Sequence, residues 1–424
     1  MRIAFATLGC KINQFETDAL QQEFRSKGST IVPFDAEADV YVINTCSVTA
    51  KSDYRCRQVI RSAVLRGKGA KVVVTGCYAE TRPEEIKKIP GVELVFGNRV
   101  KNEIPNHILS LISESGRNRL PGAHVPGMAL QTKTRGFLKI QDGCDNRCSY
   151  CIVPLARGSS RSVAPPDVIR EFVHLVETGC PEVVLTGIHI GTYGSDRGKG
   201  FSLTELLKAL IASRGLTRIR LSSIEPKEVT GDMVSFLGQG LCRHLHVPLQ
   251  SGDDTILASM RRNYNSRFYL DLLENIAKQV PGTALGADVM VGFPGEGDKE
   301  FQNTMRLVAQ APLSHLHVFS YSPRPGTPAA GMADQVPEMI KRERSEALRS
   351  LGMKKNLLFR KMHLGSSLRV VIEDKINSDT GLLSGLTDNY FRVQIEGAKT
   401  EHIGKKVKIC LKGVKEQDSF GILL

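Results

Sequence analysis

Six of the ten cysteines in this chain fall into two sets of three. The compact set is Cys144, Cys148 and Cys151, within one eight-residue run. The dispersed set is Cys10, Cys46 and Cys77, each directly after a strand-like apolar run. Residues that far apart converge only if their strands lie side by side and end at the same edge, as in a parallel sheet whose ligands gather at the carboxyl ends. Three thiolates can anchor a cubic iron–sulfur cluster and leave one iron without a protein ligand, open to a small molecule. Two such sites in one chain point to two reagents being brought together.

The chain has 424 residues and a formal charge of +13. That length accommodates two or three domains. No apolar run reaches the roughly 20 residues needed to span a bilayer, and the start Met1-Arg2-Ile3-Ala4-Phe5-Ala6 reads as a first strand and not as a signal peptide. The expectation is a soluble cytoplasmic monomer in which thiols stay reduced and clustered cysteines favour metal over disulfides. The positive charge is concentrated in Lys51–Lys71, Lys341–Lys361 and the lysines at 405, 406, 408, 412 and 415. A polyanion such as RNA is the natural partner for it, and solvated basic helix faces are the competing reading.

Apolar runs at Arg2–Leu8, Val40–Asn44 and Lys71–Thr75 alternate with helical spacing at Phe15–Arg25, Asp53–Leu65 and Pro83–Lys88. This pattern predicts an α/β domain over residues 1–120 with a parallel sheet covered on both faces. A Gly- and Pro-containing stretch, Ser115–Thr134, reads as a linker. Further strands are predicted at Gly136–Gln141, Glu182–Thr186, Arg218–Ser222, His244–Leu249, Leu285–Val291 and His315–Tyr321. Six strand–helix units over residues 130–360 predict a partial (β/α)6 barrel with its chemistry at the C-terminal mouth. After a basic helix near Met339–Lys361 the texture becomes alternating, which predicts a small all-β barrel over residues 363–424 of the kind that binds oligonucleotides.

Cys144-x3-Cys148-x2-Cys151 is the sharpest motif. A short loop turns three thiolates toward one cluster, and the absence of a neighbouring fourth leaves an iron open. Structural zinc is the alternative, but it normally takes four ligands. Tyr150, just before the third cysteine, is placed to pack against a bound ligand. The other four cysteines, at 56, 180, 242 and 410, are read as small buried apolar residues. His244 and His246 alternate on a predicted strand; at least one packs inside, and neither is read as a metal ligand.

The run from Cys144 to Cys151 resembles the signature of the radical S-adenosylmethionine superfamily. Ile152-Val-Pro-Leu-Ala-Arg157-Gly158 and Leu8-Gly9-Cys10-Lys-Ile-Asn13 narrow the likeness to the methylthiotransferases. So do Ser222-Ser223-Ile-Glu225-Pro226, Pro248-Leu-Gln250-Ser251-Gly252, Asp288-Val-Met-Val-Gly292-Phe-Pro294-Gly295 and Tyr321-Ser-Pro-Arg324-Pro325-Gly326-Thr327-Pro328. The final module resembles the RNA-binding TRAM barrel. The resemblance implies two 4Fe-4S clusters, one on Cys144, Cys148 and Cys151 and an auxiliary one on Cys10, Cys46 and Cys77. The open iron of the first would chelate S-adenosylmethionine, and an electron from an external donor would cleave it to a 5′-deoxyadenosyl radical. The auxiliary cluster would carry sulfur, methylated by a second S-adenosylmethionine and passed to the substrate carbon.

Gly187, Ser222, Glu225 and Gln250, each following a predicted strand, are candidate S-adenosylmethionine contacts; simple loop structure is the alternative for each. Gly191 belongs with them. The stretch Gly9–Asp18 is most similar to the branch that acts on threonylcarbamoyl-adenosine beside the tRNA anticodon. That branch implies an anticodon stem-loop partner, with polar residues such as Arg157 reading the modified base. The alternatives are methylthiolation of isopentenyl-adenosine and a non-enzymatic iron–sulfur RNA-binding or redox-sensing protein.

Overall fold

A computed structural model describes residues 1–67, 69–113, 134–198 and 200–424. The expected linker at Ser115–Thr134 lies outside the described residues except for Thr134. The described residues form two compact units. One contains the N-terminal residues with Asp142–Arg161 and Ser322–Thr327; the other contains Ser162–Tyr321 and Pro328–Leu424 with the strand that precedes Gln141.

The first unit is built on five parallel strands: β1 (Arg2–Thr7), β2 (Thr30–Val32), β3 (Val40–Thr45), β4 (Lys71–Gly76) and β5 (Val92–Phe96), in the order β2-β1-β3-β4-β5. Every residue of β3 is buried. Successive side chains of a strand point to opposite faces, so Ile43, Val72 and Val74 pack on one face and Val40, Val42 and Val73 on the other. Helix α1 (Lys11–Ser26) covers the second face through Leu20 and Phe24. Helix α2 (Ala50–Arg66) covers the first through Cys56, Ile60 and Ala63, and starts at Thr49, whose hydroxyl accepts from the Ser52 N–H at 3.1 Å. The sequence reading finds three of these five strands. It misses β2, a three-residue edge strand only partly buried, and β5, where the run Val92-Glu93-Leu94 carries a charge.

The second unit contains six parallel strands in chain order: β6 (Gly136–Lys139), β7 (Glu182–Thr186), β8 (Arg218–Leu221), β9 (His244–His246), β10 (Ala284–Val291) and β11 (His315–Ser320). They form two three-stranded sheets, joined by isolated bridges at Ile219–Leu241 and Ser223–His246, with a helix after each strand. This is the expected partial barrel. Helix α3 (Glu338–Lys361) leads into five strands, β12 (Ser367–Ile376), β13 (Leu383–Thr387), β14 (Arg392–Glu396), β15 (Lys406–Val414) and β16 (Ser419–Leu423), which close into a barrel. The sequence pattern predicts strands near Leu368–Glu373, Phe391–Glu396 and Lys406–Leu411, so β13 and β16 are additions to it.

The small barrel is fastened to the N-terminal ends of the large barrel's strands by a buried ion network. Glu182, fully buried, accepts from Arg218 Nε at 2.6 Å and from Arg220 Nε and Nη2 at 2.9 Å. The same guanidiniums donate to the Leu386, Thr387 and Asp388 carbonyls, and the Tyr390 ring stacks on His244 at 4.0 Å. Burial alone would raise the Glu182 carboxyl, but Arg218, Arg220 and Arg135 outweigh it and hold the group well below the usual carboxylate range. Removing one member of such a network strands the others without water.

Glu182→Ala therefore destabilises this unit by about 3–5 kcal/mol in urea unfolding. A depressed carboxylate contributes its stability above the unfolded pKa of about 4.3 and loses it as pH falls further. The wild type should weaken steeply below about pH 4, and Glu182→Gln should flatten that part of the profile.

Candidate active site

The dispersed cysteines are brought together by strand register. Thr7 pairs with Asn44 and Asn44 with Thr75, so β1, β3 and β4 end level. Each strand then delivers a cysteine within the next two or three residues. Two of the turns need glycine: Gly9 (φ +109°) and Gly76 (φ +101°) lie in the left-handed half of backbone space. A Cβ on Gly9 would meet Cys46 Cβ at 2.8 Å, and one on Gly76 would meet the Thr45 carbonyl at 2.3 Å. Cys46 and Cys77 are buried while Cys10 is exposed. Burial pushes the Cys46 thiol up, and the neighbouring Cys77 and Cys10 push it further. Three thiols close enough to repel one another as thiolates are the donor set a metal–sulfur cluster requires.

Asn13 ties this corner together. Its Nδ2 donates to the Leu8 carbonyl at 2.8 Å and the Thr45 carbonyl at 3.0 Å, one residue before Gly9 and Cys46 respectively. Its Oδ1 accepts from Arg157 Nη2 at 2.6 Å, and its own carbonyl accepts from Asn44 Nδ2 at 2.9 Å. Beneath it, Arg157 pairs with Glu16 at 2.9 Å and with Asp142 at 3.0 Å, and Lys101 pairs with Glu16. Arg157 is 2% exposed. The expectation that it reads the modified base is therefore corrected: the side chain is buried and both terminal nitrogens of its guanidinium are bonded inside the unit.

The compact trio belongs to the same unit. Cys144, Cys148 and Cys151 are partly exposed and none is in a disulfide. The loop is short and self-bonded, with the Cys151 N–H donating to the Cys148 carbonyl at 3.1 Å and the Cys144 N–H to the Gly158 carbonyl at 3.0 Å. Tyr150 lies partly buried between the last two. Asn98 ties Cys77 to the short helix that follows the compact trio: its Nδ2 lies 3.6 Å from Cys77 Sγ and 2.7 Å from the Ala156 carbonyl. Beside Cys46, Arg324 donates to Ser47 Oγ at 2.9 Å and to the buried carboxylate of Asp53. Cys56 is buried against the Cys46 carbonyl at 3.4 Å, and burial drives its thiol up to about 12, so it is a protonated packing residue. The contacts of Asn13 and Arg324, quoted above only as motif residues, and the roles of Asn98 and Asp53 went unread in the sequence, because no spacing rule connects side chains that far apart.

Gly187, Ser222, Glu225 and Gln250 fall in the second unit, beyond the C-terminal ends of its strands. Ser222 Oγ is a buried hydroxyl with no hydrogen-bond partner, the kind of orphan a ligand satisfies. Gln250 holds a left-handed backbone (φ +65°), and such strain in a non-glycine residue is commonest at functional sites. Glu225 is paired with Arg262, and burial raises its carboxyl. A Cβ on Gly187 would lie 2.7 Å from Ile190 Cγ2, and one on Gly191 1.7 Å from Glu228 Oε2, so both positions are packed close to other residues. Among the described residues, no helix is long and apolar enough to cross a membrane.

The expected basic patches are only partly free. Arg344 pairs with buried Glu296 and with Asp298, and Arg360 donates to the Asp418 carbonyl at 2.9 Å, so part of the Lys341–Lys361 charge is structural. Lys405, Lys406, Lys408, Lys412 and Lys415 are all exposed on the small barrel, as are Arg55, Arg61 and Arg66 on α2.

Three family profiles match consecutive parts of the chain: the uncharacterized family UPF0004 at residues 2–97, the radical SAM superfamily at 138–308 and the TRAM domain at 361–424. The chain is 41% identical over 96% of its length to the threonylcarbamoyladenosine tRNA methylthiotransferase MtaB of Bacillus subtilis, covering 93% of that protein. It is 37% identical to the MtaB of Aquifex aeolicus, over 97% of this chain and 100% of that one. The chain belongs to the radical SAM methylthiotransferases. A second branch of the same family, represented by tRNA-2-methylthio-N(6)-dimethylallyladenosine synthase of Desulfitobacterium hafniense, matches at 30% identity over 99% of this chain and 97% of that one. The radical S-adenosylmethionine methyltransferase TsrM of Kitasatospora setae shares the fold, with a TM-score of 0.59 at 15% identity over 78% of this chain and 77% of that one.

In this methylthiotransferase, Asn13→Ala strands the Leu8 and Thr45 carbonyls and one face of Arg157. Each stranded buried group costs about 1–3 kcal/mol, so the urea midpoint of the first unit should fall sharply. Equal stability of variant and wild type would show that the strand ends do not depend on this side chain.

Proposed function

We propose that this protein adds a methylthio group to threonylcarbamoyl-adenosine next to the anticodon of tRNA. The observation that carries the reading is the presence of two separate thiol trios in one compact unit, in a chain 41% identical to an enzyme named for that reaction. Cys144, Cys148 and Cys151 would hold one 4Fe-4S cluster, and Cys10, Cys46 and Cys77 the other. With S-adenosylmethionine and a reductant bound, these groups supply a 5′-deoxyadenosyl radical, a methyl group and the sulfur to be transferred.

The residues of the chain position these groups and keep water away. Asn98 donates a hydrogen bond toward Cys77 Sγ, an outer-shell contact that orients a ligand and tunes its donor strength. Buried Cys46 and Cys77 limit access of water, while exposed Cys10 leaves the corner open on one side. Ser222, Gln250, Gly187 and Tyr150 are the candidate contacts to S-adenosylmethionine, and Glu225, held by its pair with Arg262, is a fifth. The exposed lysines of the small barrel suit the phosphate backbone of RNA, whose neutralisation gives salt-dependent, sequence-independent affinity.

The test is a nucleoside digest of total tRNA from a strain lacking the gene. The methylthio form of threonylcarbamoyl-adenosine should vanish and its precursor accumulate. Loss of the isopentenyl product instead would move the protein to the other branch. The divided roles of the trios are tested by alanine replacement. Without Cys144, Cys148 and Cys151 the protein should release no 5′-deoxyadenosine. Without Cys10, Cys46 and Cys77 it should still cleave S-adenosylmethionine but form no methylthio nucleoside.

A further inference from the structure

Four histidines and one aspartate share one face of the sheet β9-β10-β11. Leu245, Val247, Leu285, Ala287 and Val318 point into the helix-covered core. Side chains alternate along a strand, so His246, Asp288, His315 and His317 point the other way, into the barrel. Asp288 and His317 are register partners across β10 and β11. His246 Nε2 lies 2.9 Å and His317 Nδ1 3.3 Å from the same oxygen, Asp288 Oδ1. The three ligand-type atoms all fall within 4.8 Å of one another. The cluster is graded from inside to out, with side-chain exposures of 8% for His246, 22% for Asp288 and 54% for His317.

His315 supplies a second, independent observation. Ser314 Oγ donates to the Leu285 carbonyl at 3.0 Å, which uses its only proton. It must therefore accept at its 3.0 Å contact with His315 Nδ1, and that nitrogen carries the ring proton. His315 Nε2 is left as a bare lone pair, buried and with no hydrogen-bond partner. Its Nε2 leans over Gly286 beside His246 Nδ1: a Cβ added at Gly286 would lie 2.1 Å from the first and 2.7 Å from the second.

We propose that His246, Asp288 and His317 form a site for a divalent transition-metal cation of the zinc type inside the barrel, with His315 behind it. Two imidazoles and one carboxylate, with a fourth position left to solvent or substrate, are a familiar set for such ions. The pairwise spacings of 2.9 and 3.3 Å match those between ligands about 2.0–2.1 Å from a common metal. Binding replaces two N–H···O contacts to Asp288 by two N–metal bonds and one O–metal bond. In each neutral ring the proton moves to the other nitrogen, from His246 Nε2 to Nδ1 and from His317 Nδ1 to Nε2, and a charged ring must first lose one, so affinity rises with pH. The unpartnered His315 Nε2 then accepts from His246 Nδ1–H, the outer-shell contact that metal-bound histidines almost always make. An anionic ligand would instead face the Asp288 charge at the centre of the cluster.

The test uses the full-length protein, reconstituted anaerobically with iron and sulfide, cleared of loose metal with a chelator and dialysed against zinc. We expect one zinc per chain in addition to the iron, with an X-ray absorption first shell of nitrogen and oxygen at about 2.0–2.1 Å. His246→Ala, Asp288→Asn and His317→Ala should each lose that zinc at unchanged iron content. His315→Phe should weaken it by about tenfold to a hundredfold. His317 is half exposed, so its variant keeps the test valid if the buried ones fail to fold. Sulfur in the zinc shell, zinc well below one equivalent, or equal zinc in wild type and His317→Ala would overturn the site. No zinc together with a raised KM for the RNA substrate in His317→Ala would replace the cation by an anionic group of the substrate. None of these readings depends on which nucleoside the enzyme modifies.

Discussion

The common level at which β1, β3 and β4 end is the constraint on which the first unit turns. Parallel strands hydrogen-bond in a fixed register, and a one-residue slip sends every side chain to the opposite face. Thr7, Asn44 and Thr75 sit level because the β-branched interior of β3 packs on both faces and permits no other pairing. Once those rungs are set, Cys10, Cys46 and Cys77 have little freedom left. Gly9 and Gly76 take the sharp turns, and Asn13 fixes two of the three strand exits by their carbonyls. The thiols are brought together by sheet geometry.

Buried charge does related work in both units. Arg157, Glu16, Asp142 and Lys101 form a network below the cysteines, and Glu182 with Arg218 and Arg220 forms another where the small barrel joins the large one. Replacing such a network by well-packed apolar residues is often neutral or stabilising, so stability alone does not account for it. What these networks share is direction. A guanidinium offers five donors in a fixed fork, and Arg220 uses that fork to define where the turn at Thr387–Asp388 sits. Net positive charge is consequently a poor guide to the RNA surface. Arg157, Arg218, Arg220, Arg344 and Arg360 count toward +13 yet are all buried, and the lysines of β15 are what the solvent meets.

Local chemistry was legible in the sequence wherever it was repeated or contiguous. The compact cysteine motif, the glycine before Cys10 and before Cys77, the six strand–helix units and the alternating C-terminal strands all appear as pattern, because period and spacing survive in one dimension. Short edge elements such as β2 did not, since three partly buried residues carry no period. Arg157 was misjudged because a charged residue after a cysteine motif reads as reaching outward, and only the fold brings Glu16 and Asn13 to it from more than a hundred residues away.

The sequence by itself determined the chemistry available: six thiols in two trios, parallel strands to deliver three of them, and a basic β module at the end. Tertiary structure decided which polar groups were already spent and which remained. His246, Asp288 and His317 are unremarkable on their separate strands. They converge because neighbouring parallel strands place residues of distant sequence side by side, a proximity set by strand pairing and not by spacing along the chain.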